Sequence, residues 1–154
     1  MKFADLLNQK AVKVVTASSS KKRLLHDVSE LAESAHGIDA QPAVEALMER
    51  ESLGPTGVGH GIALPHARLP GIEGVVGVFI LLEKPIDFEA VDRQPVDVIF
   101  ALFAPEDAGV EHLKALALVS RTLRDANFCS KLRANPDPMT LYTIITEEAA
   151  EKAA

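Results

Sequence analysis

Two apolar runs constrain this chain more than any other feature. Residues 74–82 and 96–103 are almost continuously apolar, with little alternation of polar and apolar side chains. An alternating strand can turn one face to water, whereas a strand that is apolar on both faces needs cover on both. The rest of the chain offers helices for that cover, so the expected fold is α/β, a central sheet flanked by helices. The link over residues 84–94, with Pro85, Asp87, Asp92 and Arg93, is short enough for an antiparallel neighbour. Longer connections elsewhere permit parallel pairing, so a mixed sheet is expected.

The covering helices are legible from spacing. Residues 3–7 suit a short helix and 11–15 a short strand. Ser18, Ser19 and Ser20 offer an N-cap for a helix over 21–36, where Leu24, Leu25, Val28, Leu31, Ala32 and Ala35 share one face. Gly37 supplies its stop. Asp39 is placed to cap a second helix with Pro42 in its first turn, ending near Ser52, where Gly54-Pro55 follows. Residues 54–61 carry Gly54, Gly57, Gly59 and Gly61 and read as a loop, and 62–64 as a short extended segment leading to His66. Helices are expected over 109–124 and 126–134, and over 139–146 after Pro138, and the tail 147–154 is expected to fray.

With 154 residues the chain is expected to form a single domain, its core over about residues 3–146. A net charge of −6 argues against nucleic acid as a partner and against docking on an anionic membrane. The lone Cys129 has no partner for an internal disulfide, which suits a reducing compartment. No signal-like segment opens the sequence, and no apolar run approaches the roughly 20 residues that span a bilayer. A cytoplasmic location and no membrane insertion are expected.

The candidate chemistry lies in Gly59-His60-Gly61-Ile62-Ala63-Leu64-Pro65-His66. Proline fixes its own φ and biases its predecessor toward extended geometry, so His66 is held in place at the end of a strand-like segment. His112, in the first turn of a helix that follows a buried strand, is its natural partner, since that helix end favours an anion. Arg50, just before the glycine-rich loop, is a third candidate, either as a guanidinium for phosphate or as a cation closing its helix. Three chemistries fit these residues. Zinc could take His60, His66 and His112, although H-x5-H across a proline is an unfamiliar ligand spacing. A nucleotide could use Gly57-Val58-Gly59-His60-Gly61, which matches neither G-x-G-x-x-G nor a P-loop. A phosphoryl group could be accepted by the imidazole of His66, with donors around the transferring oxygens.

The run from Met48 to Ala67, with Arg50 before the loop and Ala63-Leu64-Pro65-His66 after it, resembles the IIA signature of the fructose/mannitol class of the phosphoenolpyruvate-dependent sugar phosphotransferase system. Glu83-Lys84-Pro85-Ile86-Asp87-Phe88 and the segment from Ala104 to Leu113 resemble the same family, so the likeness covers nearly the whole chain. A free-standing chain of this length is most similar to the nitrogen-regulatory IIA branch. The resemblance implies the mannitol/fructose-type IIA fold, His66 as the phosphorylated histidine, His112 as a second active-site histidine that hydrogen-bonds the phosphoryl group, and Arg50 as the active-site arginine. Thr56, Gly57 and Gly59 of the signature are expected to support the site. His60 departs from the family's usual Asn or Glu and is expected to tune His66.

The implied activity is that of a phosphohistidine phosphotransferase component, which needs no metal or cofactor. The implied donor is an HPr-like carrier, and the implied targets of regulation are proteins such as sensor kinases or potassium transport proteins. The alternatives are a sugar-specific subunit passing phosphate to a separate IIB, and a non-catalytic regulatory binding module.

Overall fold

The computed structural model describes residues 1–148. Its sheet contains six strands: β1 (Val12–Val15), β2 (Gly57–Gly59), β3 (Ile62–Ala63), β4 (His66–Leu69), β5 (Val76–Ile86) and β6 (Val96–Pro105). Strands β5 and β6 are the two apolar runs, and they pair antiparallel at the centre. β1 joins β5 in parallel, β3 and β4 both join β6 in parallel, and β2 pairs antiparallel with β3. The sheet is therefore mixed, as the link lengths predict. Val78 to Leu82 and Val98 to Ala104 are buried without a break, so both faces of the central pair are covered.

Among the described residues, six α-helices supply the cover: α1 (Phe3–Leu6), α2 (Lys21–His36), α3 (Ala40–Ser52), α4 (Val110–Leu123), α5 (Ala126–Arg133) and α6 (Pro138–Thr143). Ser20 caps α2 by accepting the Arg23 N–H, and Gly37 ends it at φ 71°, as the sequence predicts. The start of α3 differs from expectation. The Asp39 side chain makes no capping bond, and the Ala40 N–H is taken instead by the Glu33 carboxylate at 2.8 Å. A carboxylate from the last turn of α2 thus does the work expected of the local residue.

Further boundaries differ from the sequence reading. Residues 54–61 are not all loop: Gly57–Gly59 forms β2, and His60 and Gly61 make the turn of a hairpin at φ 57° and 80°. Positive φ at both central residues suits the right-handed twist of paired strands. Strand β5 runs on to Ile86, through Pro85, and its register against β6 shifts between Leu81 and Ile86, where a proline is tolerated. The last helix changes at Thr143 to a π-helical turn over Ile144–Glu148. Of the tail expected to fray, Glu147 and Glu148 belong to this turn, and residues 149–154 lie outside the described residues.

The strand edge at His66 matters most for function. His66 does not end an extended segment; it begins β4. β3 and β4 hold one register against β6, Ile62 opposite Val98 and His66 opposite Leu102. They are one strand line interrupted at Leu64-Pro65, because Pro65 has no N–H for the ladder. Its carbonyl still accepts from the Leu102 N–H at 2.9 Å.

Candidate functional site

Alternation along β4 decides what His66 faces. Ala67 and Leu69 are buried, while His66 is half-buried and Arg68 exposed. Residues i and i+2 of a strand share a face, so His66 and Arg68 stand about 7 Å apart on the open side. Helix α3 packs against β4 and brings Arg50 from its last turn, and the first turn of α4 brings His112. Ala46, Glu49, Arg50, Leu53, His66, Ala67, Arg68 and His112 line one open depression of about 490 Å³. Three elements distant in sequence thus place the three principal candidates together.

The imidazole of His66 is oriented by its own backbone. Its Nδ1 lies 2.8 Å from the carbonyl oxygen of Leu64. A carbonyl only accepts, so Nδ1 carries the proton and, in the neutral ring, Nε2 carries the lone pair. The ring of His112 meets it edge to face, with centroids 5.7 Å apart and planes at 71°. His112 is 6% exposed, and its Nε2 is buried without a hydrogen-bond partner. Burial first, then the nearby His66 and Arg68, hold its pKa below the ordinary histidine value. It is therefore a neutral ring near pH 7 with one unused polar atom, and such an atom is costly unless a ligand engages it.

Arg50 donates from Nη1 to the Gly54 carbonyl at 3.0 Å, which closes the end of α3 and fixes the guanidinium at the depression. Arg68 has only a long 3.5 Å contact to the Glu106 carbonyl. An imidazole whose Nδ1–H is taken by a carbonyl and whose Nε2 is left free, in a depression also lined by two arginines and a second histidine, is suited to taking up a phosphoryl group.

A sequence profile of the family described as "Phosphoenolpyruvate-dependent sugar phosphotransferase system, EIIA 2" matches residues 5–148. The chain belongs to this EIIA 2 family. It is 42% identical to a nitrogen regulatory protein of Bradyrhizobium diazoefficiens, over 99% of this chain and all of that one. Its fold matches the crystal structure of nitrogen regulatory protein IIA-Ntr from Neisseria meningitidis with a TM-score of 0.84, at 32% identity, covering 92% of this chain and 97% of that one. The IIA mannitol structure from Escherichia coli has the same fold, with a TM-score of 0.75 at 17% identity, covering 90% and 98%. Among the described residues of this EIIA 2 chain, no helix is long and apolar enough to cross a membrane.

The remaining candidates lie apart from the EIIA 2 depression. His60 is at the hairpin turn, six residues and roughly 15–20 Å down the strand line from His66. Its N–H donates to Asp92 at 2.9 Å and its carbonyl accepts from Arg133 at 2.8 Å. The backbone N–H groups of His60 first and then Gln94, both donating to the Asp92 carboxylate, lower its pKa. At that distance the exposed imidazole of His60 does not tune His66 by contact, contrary to the sequence expectation. Gly57 and Gly59 belong to β2 and do not line the depression, so the N–H groups of the glycine-rich loop do not surround His66. Gly57 instead packs so tightly on Ala90 that a Cβ there would lie 2.7 Å from the Ala90 Cβ. Thr56 is buried, bonded through its N–H and hydroxyl to the Glu51 carboxylate.

The placement of His60 also removes the third ligand of the zinc reading, and no group of three or more His, Cys, Asp or Glu is set to hold a metal among the described residues. Sequence reasoning missed Arg68. Its signal is the i, i+2 spacing from His66, which becomes visible only once residues 66–69 are known to be a strand.

Proposed function

We propose that this chain is a phosphocarrier that accepts a phosphoryl group on Nε2 of His66 from the phosphohistidine of an HPr-like protein. The observation that carries this reading is the 2.8 Å bond from His66 Nδ1 to the Leu64 carbonyl, which leaves Nε2 as the nucleophile beside the unpaired His112 Nε2. The lone pair of Nε2 forms the new N–P bond as the carrier's N–P bond breaks, and the carrier imidazole leaves with that electron pair. The His66 ring becomes cationic, and its Nδ1–H stays on the Leu64 carbonyl, which stabilises that charge. Negative charge spreads over the three equatorial oxygens in transit. Arg50, Arg68 and the His112 ring line the depression in which those oxygens would lie. No proton has to move at His66 for the group to arrive or leave.

The depression is open, so a protein partner can reach and cover it. Leu53 rims it at 81% exposure, and Val110 and Leu113 are exposed on α4 either side of His112. Exposed apolar side chains around a charged centre suit a transient protein partner. The similarity to nitrogen regulatory proteins favours a regulatory role, in which the phosphorylated state of His66 decides docking on targets such as sensor kinases or potassium transport proteins.

The test is incubation with phosphoenolpyruvate, enzyme I and the HPr-like carrier, followed by intact-mass spectrometry. One acid-labile phosphoryl group is expected on the wild-type chain and none on His66→Ala. An unmodified wild-type chain refutes the reading. Rapid onward transfer to a separate IIB would move the role from regulation to sugar transport.

A further inference from the structure

Why the Leu64 carbonyl is free to hold His66 is a question the strand pairing answers. Thr56 and Leu64 stand opposite each other, one step beyond the Gly57–Ala63 pair of β2 and β3. The Leu64 N–H donates to the Thr56 carbonyl at 2.9 Å. In an antiparallel ladder such a pair exchanges both of its bonds, so the Thr56 N–H should return to the Leu64 carbonyl. It does not. The Thr56 N–H donates instead to Oε1 of Glu51 at 3.0 Å, while the Thr56 hydroxyl donates to Oε2. The Leu64 carbonyl, relieved of its ladder partner, takes Nδ1–H of His66.

Glu51 is itself held. Its carboxylate is 5% exposed and lies 3.1 Å from the Lys21 ammonium, which sits over the Phe88 ring at 4.7 Å. Burying a carboxylate is costly unless it is paired and hydrogen-bonded, and here both conditions are met. Glu51 does not line the His66 depression.

We infer that Glu51 is a positioning residue: by drawing the Thr56 N–H out of the ladder, it frees the Leu64 carbonyl to fix the tautomer of His66. The inference rests on the reading of His66 as the phosphoryl acceptor, and it adds a determinant of which ring nitrogen is nucleophilic. Removing the carboxylate lets the Thr56 N–H close the ladder on Leu64. Nδ1–H then shares or loses its acceptor, and the form protonated at Nε2, which cannot attack, gains population.

The experiment compares the full-length wild type with Glu51→Ala and Glu51→Gln. Nitrogen-15 NMR of the histidine rings reads the tautomer, phosphorylation by the HPr-like carrier reads the rate, and thermal unfolding reads stability. In Glu51→Ala, the His66 signals are expected to move toward the Nε2–H form and the rate to fall about tenfold, the order seen when a group orienting a histidine is removed. Glu51→Gln keeps an acceptor for the Thr56 N–H, so its tautomer and rate are expected to stay near wild type. That rescue separates positioning from stability, because both variants lose the ion pair to Lys21. An unchanged tautomer and rate in folded Glu51→Ala overturn the inference.

One measurement needs no variant. A through-hydrogen-bond coupling from the Thr56 amide to the Glu51 carboxylate supports the inference, and one to the Leu64 carbonyl overturns it. A wild-type chain that takes no phosphoryl group would refute the functional reading while leaving the tautomer result standing.

Discussion

Nδ1 of His66 and the carbonyl oxygen of Leu64 are 2.8 Å apart, joined across a single proline. A side chain reaching back two residues to its own strand fixes both the ring's orientation and its protonated nitrogen. The phosphoryl group is therefore expected on Nε2. Nitrogen-15 NMR of the phosphorylated chain should show the phosphorus coupled to Nε2, with Nδ1 still protonated. A phosphoryl group on Nδ1 would contradict the geometry.

His112 sets an acid limit on stability. Its pKa is lowered by burial first and by His66 and Arg68 next, so below the ordinary histidine pKa the unfolded chain binds a proton there that the folded chain does not. Unfolding free energy therefore decreases as pH falls through the window below about 6.5. Above that window neither state is protonated and His112 contributes no slope. Urea titrations at several pH values should show this acid loss, and His112→Asn should flatten it.

The two arginines differ in how firmly they are held. Arg50 is anchored on the Gly54 carbonyl, and Arg68 makes only a long contact to Glu106. Arg50→Lys loses the planar fork, and the phosphoryl-transfer rate is expected to fall about 100-fold, as for loss of one preorganised donor. Arg68→Gln removes a more mobile cation and is expected to cost about tenfold. Stopped mixing with the phosphorylated carrier measures both, and unfolding midpoints should change little.

His60 provides a negative control. His60→Asn keeps a residue that tolerates positive φ at the hairpin turn, and the site lies roughly 15–20 Å away. Phosphorylation rates are expected to stay within about twofold of wild type. A large loss would show that the hairpin turn reaches His66 by a route other than contact.

Gly57→Ala tests the hairpin's seat. The added Cβ would lie 2.7 Å from the Ala90 Cβ and 2.9 Å from its Cα, so backbone must shift. Destabilisation of about 1–3 kcal/mol is expected, measured by the urea midpoint.

The sequence by itself determined the layers of this protein. The buried central pair, the capped α2 and the short link that makes β5 and β6 antiparallel follow from local pattern, and the choice of His66, His112 and Arg50 as candidates follows from local pattern and family motif. These features are local because burial period, capping and turn chemistry act over a few residues. Tertiary structure decided what those residues do together. It made β4 a strand, which put Arg68 on the face of His66, and it carried His60 and the glycines away to a hairpin. Above all, it sent the Thr56 N–H to Glu51 and the Leu64 carbonyl to His66. All four residues lie within positions 51–66, but the choice between two acceptors for one N–H depends on how the end of α3, the start of β2 and the break between β3 and β4 fold onto one another, which the order of residues does not state.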